Sequence, residues 1–337
     1  MPTLSLVQRI ARQLRGAAKF LIPKVQRHRR QRSTKLPVSG TTVTQRQRQL
    51  TTNLLPAALL TFLGAGNLFA QTVFVDSRFG DDKLDGATPE RVPERNGPVR
   101  TLTRAVQLVR PGGSIVLANT GEPYAGGFSL YGLQQSGSLG APLEIIGNGC
   151  IITGAQPIDP TAWESTSPTV WRITPLRKGW YQLVLDGAAV PEVACPADAT
   201  TLPELTENSW CAFQGRIYYR PPADQEPLQM SLALADDQTG ISLIAVEHII
   251  IRDVTIRHFR QDGVHLFDRC RDITLENMTC EENGRAGLVI GGTSQAELLN
   301  VTCRANRQES LLVEDFGLAD ATDSTFDAEP TVRALAP

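Results

Sequence analysis

Asp262, His265, Asp268, Glu309 and Asp315 are the residues best suited to chemistry, because they recur on one interval. Asp262, Ala286 and Glu309 are spaced by 24 and 23 residues, and so are Asp268, Gly292 and Asp315. If each interval is one turn of a stacked structure, each carboxylate pair lies two strand spacings apart, about 9.5 Å. That is the upper edge of the separation used by inverting glycosidases, which leave room for a water. His265, on the strand between them, would serve as acid, base or hydrogen-bond donor. The same pattern also fits a plain solvated edge, since turns facing water are rich in Asp and Glu.

The interval belongs to a repeat. DVTI (253–256), NMTC (277–280), NVTC (300–303) and DSTF (323–326) are 24, 23 and 23 residues apart. Two further apolar segments keep step with each, which predicts three short strands per turn of a parallel solenoid. Strand alternation points Ile241/Val264/Leu288/Leu311, Leu243/Leu266/Ile290/Val313 and Ile256/Cys280/Cys303/Phe326 inward. Asp253/Asn277/Asn300/Asp323 forms an Asx ladder at a turn, Thr255/Thr279/Thr302/Thr325 an outward Thr ladder, and Arg257/Glu281/Arg304/Asp327 alternates in charge.

Upstream, VFVDSRFGDDKLDG (73–86), GPVRTLTRAVQLVRPGGSIVLANTGEPY (97–124) and APLEIIGNGCIITGA (141–155) complete a pattern that resembles the pectate-lyase-like superfamily. The resemblance covers about residues 73–155 and 240–330. It implies an all-β fold, a right-handed parallel β-helix with three strands per turn. Leu102, Ala105, Val106 and Val109 sit at helical spacing before Pro111-Gly112-Gly113, which predicts an N-terminal capping helix over the open first turn. The superfamily spans lyases, hydrolases, epimerases and adhesins, so it implies a fold rather than a reaction.

Residues 160–239 break the period and hold all four Trp. Asp186-Gly187 and Gln214-Gly215 are hairpin signals, and the segment reads as a small antiparallel β insert. Its tryptophans suit a core better than a sugar platform. Trp180 and Tyr181 are the expected exposed pair and, with Arg269, the candidate substrate contacts.

The charge is divided. Residues 1–50 carry 12 of the 33 basic residues and no acid, which leaves 21 basic against all 35 acidic residues downstream, a balance of −14. The basic leader (1–50) is followed by an apolar segment (51–70) ending in small residues, the layout of a secretory signal cleaved after Ala70. The mature domain is then exported, to the periplasm, the cell surface or beyond, with no stable membrane span. Its acidity excludes nucleic acid as a partner and argues against attraction of polyanions.

The superfamily's lyases imply a Lys or Arg base beside an acidic calcium cluster. Beyond Ala70 the only lysines are Lys83 and Lys178, neither in a regular turn, so a hydrolase is favoured over a lyase. Asp76, Asp81, Asp82 and Asp85 would be the place for Ca2+, but their spacing is that of a turn rather than an EF-hand. No cofactor or other metal is expected. Cys280 and Cys303 read as stacked apolar residues, while Cys195 and Cys211 are open between a disulfide and free thiols. The expected function is thus an exported carbohydrate-active protein acting on an extracellular polysaccharide. The alternatives are a non-catalytic glycan-binding or adhesion protein, or a truncated inactive member. TVRALAP (331–337) offers no cap for the last turn, so a partner or oligomer is expected to cover the carboxy-terminal end.

Overall fold

The computed structural model describes residues 70–92 and 95–334. The basic leader, the apolar segment up to residue 69 that was expected to act as an export signal, and residues 335–337 lie outside the described residues. The chain is a right-handed parallel β-helix built on two parallel sheets, one of ten strands and one of six. In a typical turn the chain runs along the small sheet at Asp262–Asp268 and then along the large sheet at Arg271–Glu281. That long strand kinks at the Asx position. One turn later it is split outright, into Gln295–Leu299 and Thr302–Arg304, which makes the third strand explicit.

The register follows from the side chains. Ile241, Val264, Leu288 and Leu311 pair in sequence, as do Leu243, Leu266, Ile290 and Val313. All eight belong to one continuous core. A slip of one residue would turn these aliphatic columns to solvent, so burial and register specify each other. Asp253, Asn277, Asn300 and Asp323 all take left-handed backbone, with φ of 59°, 50°, 53° and 51°. Asx residues tolerate that region, and here their side chains also bond along the stack. Asn277 Nδ2 donates to Asp253 Oδ1 at 3.1 Å, and Asn300 Nδ2 to Asn277 Oδ1 at 2.9 Å. A second ladder lies inside the next corner. Asn283, fully buried, accepts from the Phe259 amide and donates to the Ile256 carbonyl and to Asn306 Oδ1.

The helix at Leu102–Leu108 starts on Thr101, whose hydroxyl accepts from the Arg104 amide at 3.1 Å. It buries Leu102, Ala105 and Val106 in the main core.

The insert leaves and re-enters at one point, where the Gly154 carbonyl accepts from the Asp236 amide at 2.9 Å. It holds two antiparallel four-stranded sheets. Asp186-Gly187 and Gln214-Gly215 both have positive φ and close the hairpins. Trp163 and Trp210 are buried in its own core, with Trp163 5.9 Å from the Tyr219 ring. All six cysteines are free thiols, and all but Cys195 are buried.

Candidate functional site

The outer face of the six-stranded sheet brings together a histidine, a carboxylate and an arginine. Its geometry begins with a glycine. A Cβ on Gly263 would lie 2.6 Å from the Gly287 carbonyl oxygen and 3.3 Å from Cys280 Cβ, so residue 263 faces the core. Val264 also faces the core. Two inward residues in succession place Asp262 and His265, three apart, on the same outer face.

There Asp262 Oδ2 lies 3.1 Å from His265 Nδ1. Arg285, from the corner one turn on, closes a fork on the carboxylate, with Nε 2.7 Å from Oδ1 and Nη2 2.5 Å from Oδ2. Asp262 is fully buried. Burial alone would raise its pKa, but the hydrogen bonds from His265 and Arg285 outweigh burial and hold it below the ordinary carboxylate value. The carboxylate is therefore ionised, and His265 Nδ1 is the donor toward it. That leaves the imidazole's Nε2 to do other work. Phe267 stacks on the imidazole, with centroids 3.6 Å apart and planes 10° from parallel. Next to Nε2 stands Gly291, which sets no side chain over it.

Glu309 shares the column of Asp262, with Ala286 between them. It accepts from Thr331 Oγ1 at 2.5 Å and pairs with Arg333 at 3.1 Å. Ala286, Val289 and Leu312, on the outer side between the two groups, are fully buried and form a small apolar cluster. Asp268 and Asp315 are not brought together as a free pair. Asp268 Oδ1 accepts from the Thr293 amide at 2.9 Å and its hydroxyl at 3.1 Å, while Asp315 Oδ2 accepts from the Gly292 amide at 3.4 Å. Both carboxylates cap the turn that separates them. Arg269 is exposed and lies 3.5 Å from Asp268.

Tyr181 corrects the expected exposed pair. Trp180 is 36% exposed, whereas Tyr181 is buried in the insert core with Trp210 and Val190. Its ring supplies area that so small a module needs inside. The insert itself packs on the corner that leads into the small sheet. Arg307 pairs with Glu192 and donates to the Tyr181 carbonyl, and Arg260 donates to the carbonyls of Lys178 and Gly179 at 2.7 Å. A crevice of about 200 Å³ follows this seam.

The arrangement implied by the superfamily's lyases does not fit these residues. Arg285 and Arg333, the arginines beside Asp262 and Glu309 among the described residues, are both paired with carboxylates. Among the described residues no group of three or more His, Cys, Asp or Glu converges. The carboxylates of Asp76, Asp81, Asp82 and Asp85 instead accept backbone amides of their own loop and of the 97–101 segment. Sequence reasoning missed Arg285 and Phe267. Arg285 directly precedes Ala286, so the Asp262 column and the need of a buried carboxylate for a cation together would have pointed to it.

Residues 231–331 match the family model described as the right-handed β-helix region. A solved glycoside hydrolase superposes with a TM-score of 0.55 at 14% identity, over 73% of this chain and 68% of its own. XylC in complex with xylose superposes at 0.48 with 11% identity, over 74% of this chain and 58% of its own. Pectate lyase Pel9A does so at 0.33 with 14% identity, over 75% and 44%. No curated protein sequence matches. Fold, repeat and family model agree on one architecture: residues 231–331 carry the right-handed β-helix region, and the chain shares the fold of the solved glycoside hydrolase.

Proposed function

We propose that this is an exported carbohydrate-active β-helix protein that hydrolyses an extracellular polysaccharide on the outer face of its six-stranded sheet. The carrying observation is the Asp262–His265 pair, a histidine held by a buried ionised carboxylate on that face. A glycoside hydrolase shares the fold, and a fold carries no reaction by itself, so the chemistry is argued from the site.

His265 Nε2 delivers a proton to the leaving oxygen as the glycosidic C–O bond breaks. Glu309, two strand spacings from Asp262 (about 9.5 Å), takes the proton of the water that attacks the anomeric carbon. Exchange with solvent then restores both groups. Asp262 keeps the imidazole oriented and compensates its charge. The dry floor of Ala286, Val289 and Leu312 strengthens each of these interactions. Asp268 and Asp315 shape the turn at the edge of the face, and Arg269 and Trp180 are exposed candidates for outer substrate contacts.

Hydrolysis is favoured over elimination because, among the described residues, Arg285 and Arg333 on this face are both held as cations by carboxylates and offer no free base beside a uronate. The test is a panel of neutral and acidic polysaccharides scored for new reducing ends and for ultraviolet absorbance of unsaturated uronates. Reducing ends without that absorbance support the reading, and absorbance rising with cleavage refutes it.

A second reading, glycan binding without turnover, is favoured by a separate observation. Tyr131, Phe267 and Phe316 stand exposed at the far edge of the same sheet.

A further inference from the structure

That edge carries a more specific inference. Tyr131 is 67% exposed, Phe267 40% and Phe316 68%, in a chain with only 6% aromatic residues. The strand pairing sets their order. Tyr131 pairs with Ile244, and Ile244 pairs with Asp268 across a register shift between Leu243 and Ile244 that leaves Phe267 as the extra residue of the next strand. Gly291 follows on the next turn, and the Phe316 amide donates to the Gly292 carbonyl at 2.9 Å one turn further. Aromatic rings thus come on alternate turns, about 9.5 Å apart along the solenoid axis. Ile244 and Gly291 stand on the turns between them. The rim beside the rings is made of Asp268, Thr293, Glu314 and Asp315.

We infer that this row is the binding platform for an extended, unbranched, neutral glycan lying along the helix axis. This rests on the proposed function and names its substrate class. Rings on alternate turns match a chain in which every second sugar presents its apolar face in the same direction, as in an extended 1,4-linked polymer. A protein partner would call for a clustered apolar centre rather than separated rings one residue wide. The carboxylates on the rim accept sugar hydroxyls and repel a polyanion. Phe267 belongs to both features, since it stacks on His265 and remains 40% exposed. The platform thereby leads the glycan to the imidazole.

The test is retention of the full chain in affinity gels cast with a neutral 1,4-linked glucan or xylan, or with polygalacturonate. Tyr131→Ala and Phe316→Ala are the variants, because both side chains are exposed and their loss opens no cavity. The expected result is retention on a neutral gel, weakened about tenfold or more in the double variant, with the melting temperature unchanged. Retention equal in wild type and double variant overturns the platform and leaves the proposed function standing. Retention by polygalacturonate alone overturns the neutral class. No retention on any gel, combined with self-association that the double variant abolishes, makes the row a protein interface and overturns both readings.

Discussion

Replacing Arg285 by Met leaves Asp262 as a buried carboxylate whose remaining partner among the described residues is His265. In the intact protein the guanidinium makes two short bonds to it, and the carboxylate side chain is only 1% exposed. Breaking a buried ion pair by removing one member costs about 3–5 kcal/mol, because the other charge stays desolvated. The cost has a pH signature. Asp262 has a depressed folded-state pKa, so the stability it contributes is fully present above its unfolded value of about 3.9. That contribution is lost as pH falls through the still lower folded value. In Arg285→Met the burial of the carboxylate is no longer offset by the guanidinium, so protonation relieves the variant first. The deficit therefore narrows as pH falls from 7 toward 4. Urea unfolding followed by far-ultraviolet circular dichroism at both pH values measures it. The double variant Asp262→Asn/Arg285→Met should recover part of the loss at pH 7. A cost below about 1 kcal/mol at pH 7, or one that does not change with pH, would refute the buried-pair argument.

Three further outcomes follow from the packing around the same sheet and its corners. Asn283→Ala removes a fully buried side chain that serves Phe259, Ile256 and Asn306, and should cost about 2 kcal/mol or more in chemical denaturation. Gly263→Ala drives a Cβ to 2.6 Å from the Gly287 carbonyl oxygen, and should lower stability by about 1–3 kcal/mol while displacing His265, seen as loss of any activity. Asp268→Asn keeps an oxygen to accept from Thr293 and should change the melting temperature little, whereas Asp268→Ala removes both acceptors and should lower it measurably. Cleavage lost in Asp268→Asn with the fold intact would instead return that residue to the chemistry.

The solenoid was legible because stacking repeats one environment every turn. The aliphatic columns, the Asx ladder and the charge ladder all lie in the paired register that their spacing predicts. The hairpins of the insert were legible for a related reason, since Asp186-Gly187 and Gln214-Gly215 supply the left-handed residues a tight turn demands. What spacing did not convey was the direction of individual side chains near corners. Asp262 and His265 share a face only because Gly263 turns inward, a packing fact with no periodic signature. Asp268 and Asp315 fall in step with the repeat, yet each bends back onto backbone amides, which nearby turn geometry determines. Tyr181 was misjudged because the insert is not repetitive, so no column showed which of its aromatics form the core.

The most direct measurement is reducing-end release from a neutral polysaccharide by the wild-type chain and by His265→Asn, with retention on the same glycan measured alongside. A general acid of this kind contributes about 10²- to 10⁴-fold. The account predicts that release falls by at least the lower figure while retention is kept. Release by His265→Asn at the wild-type rate would contradict it.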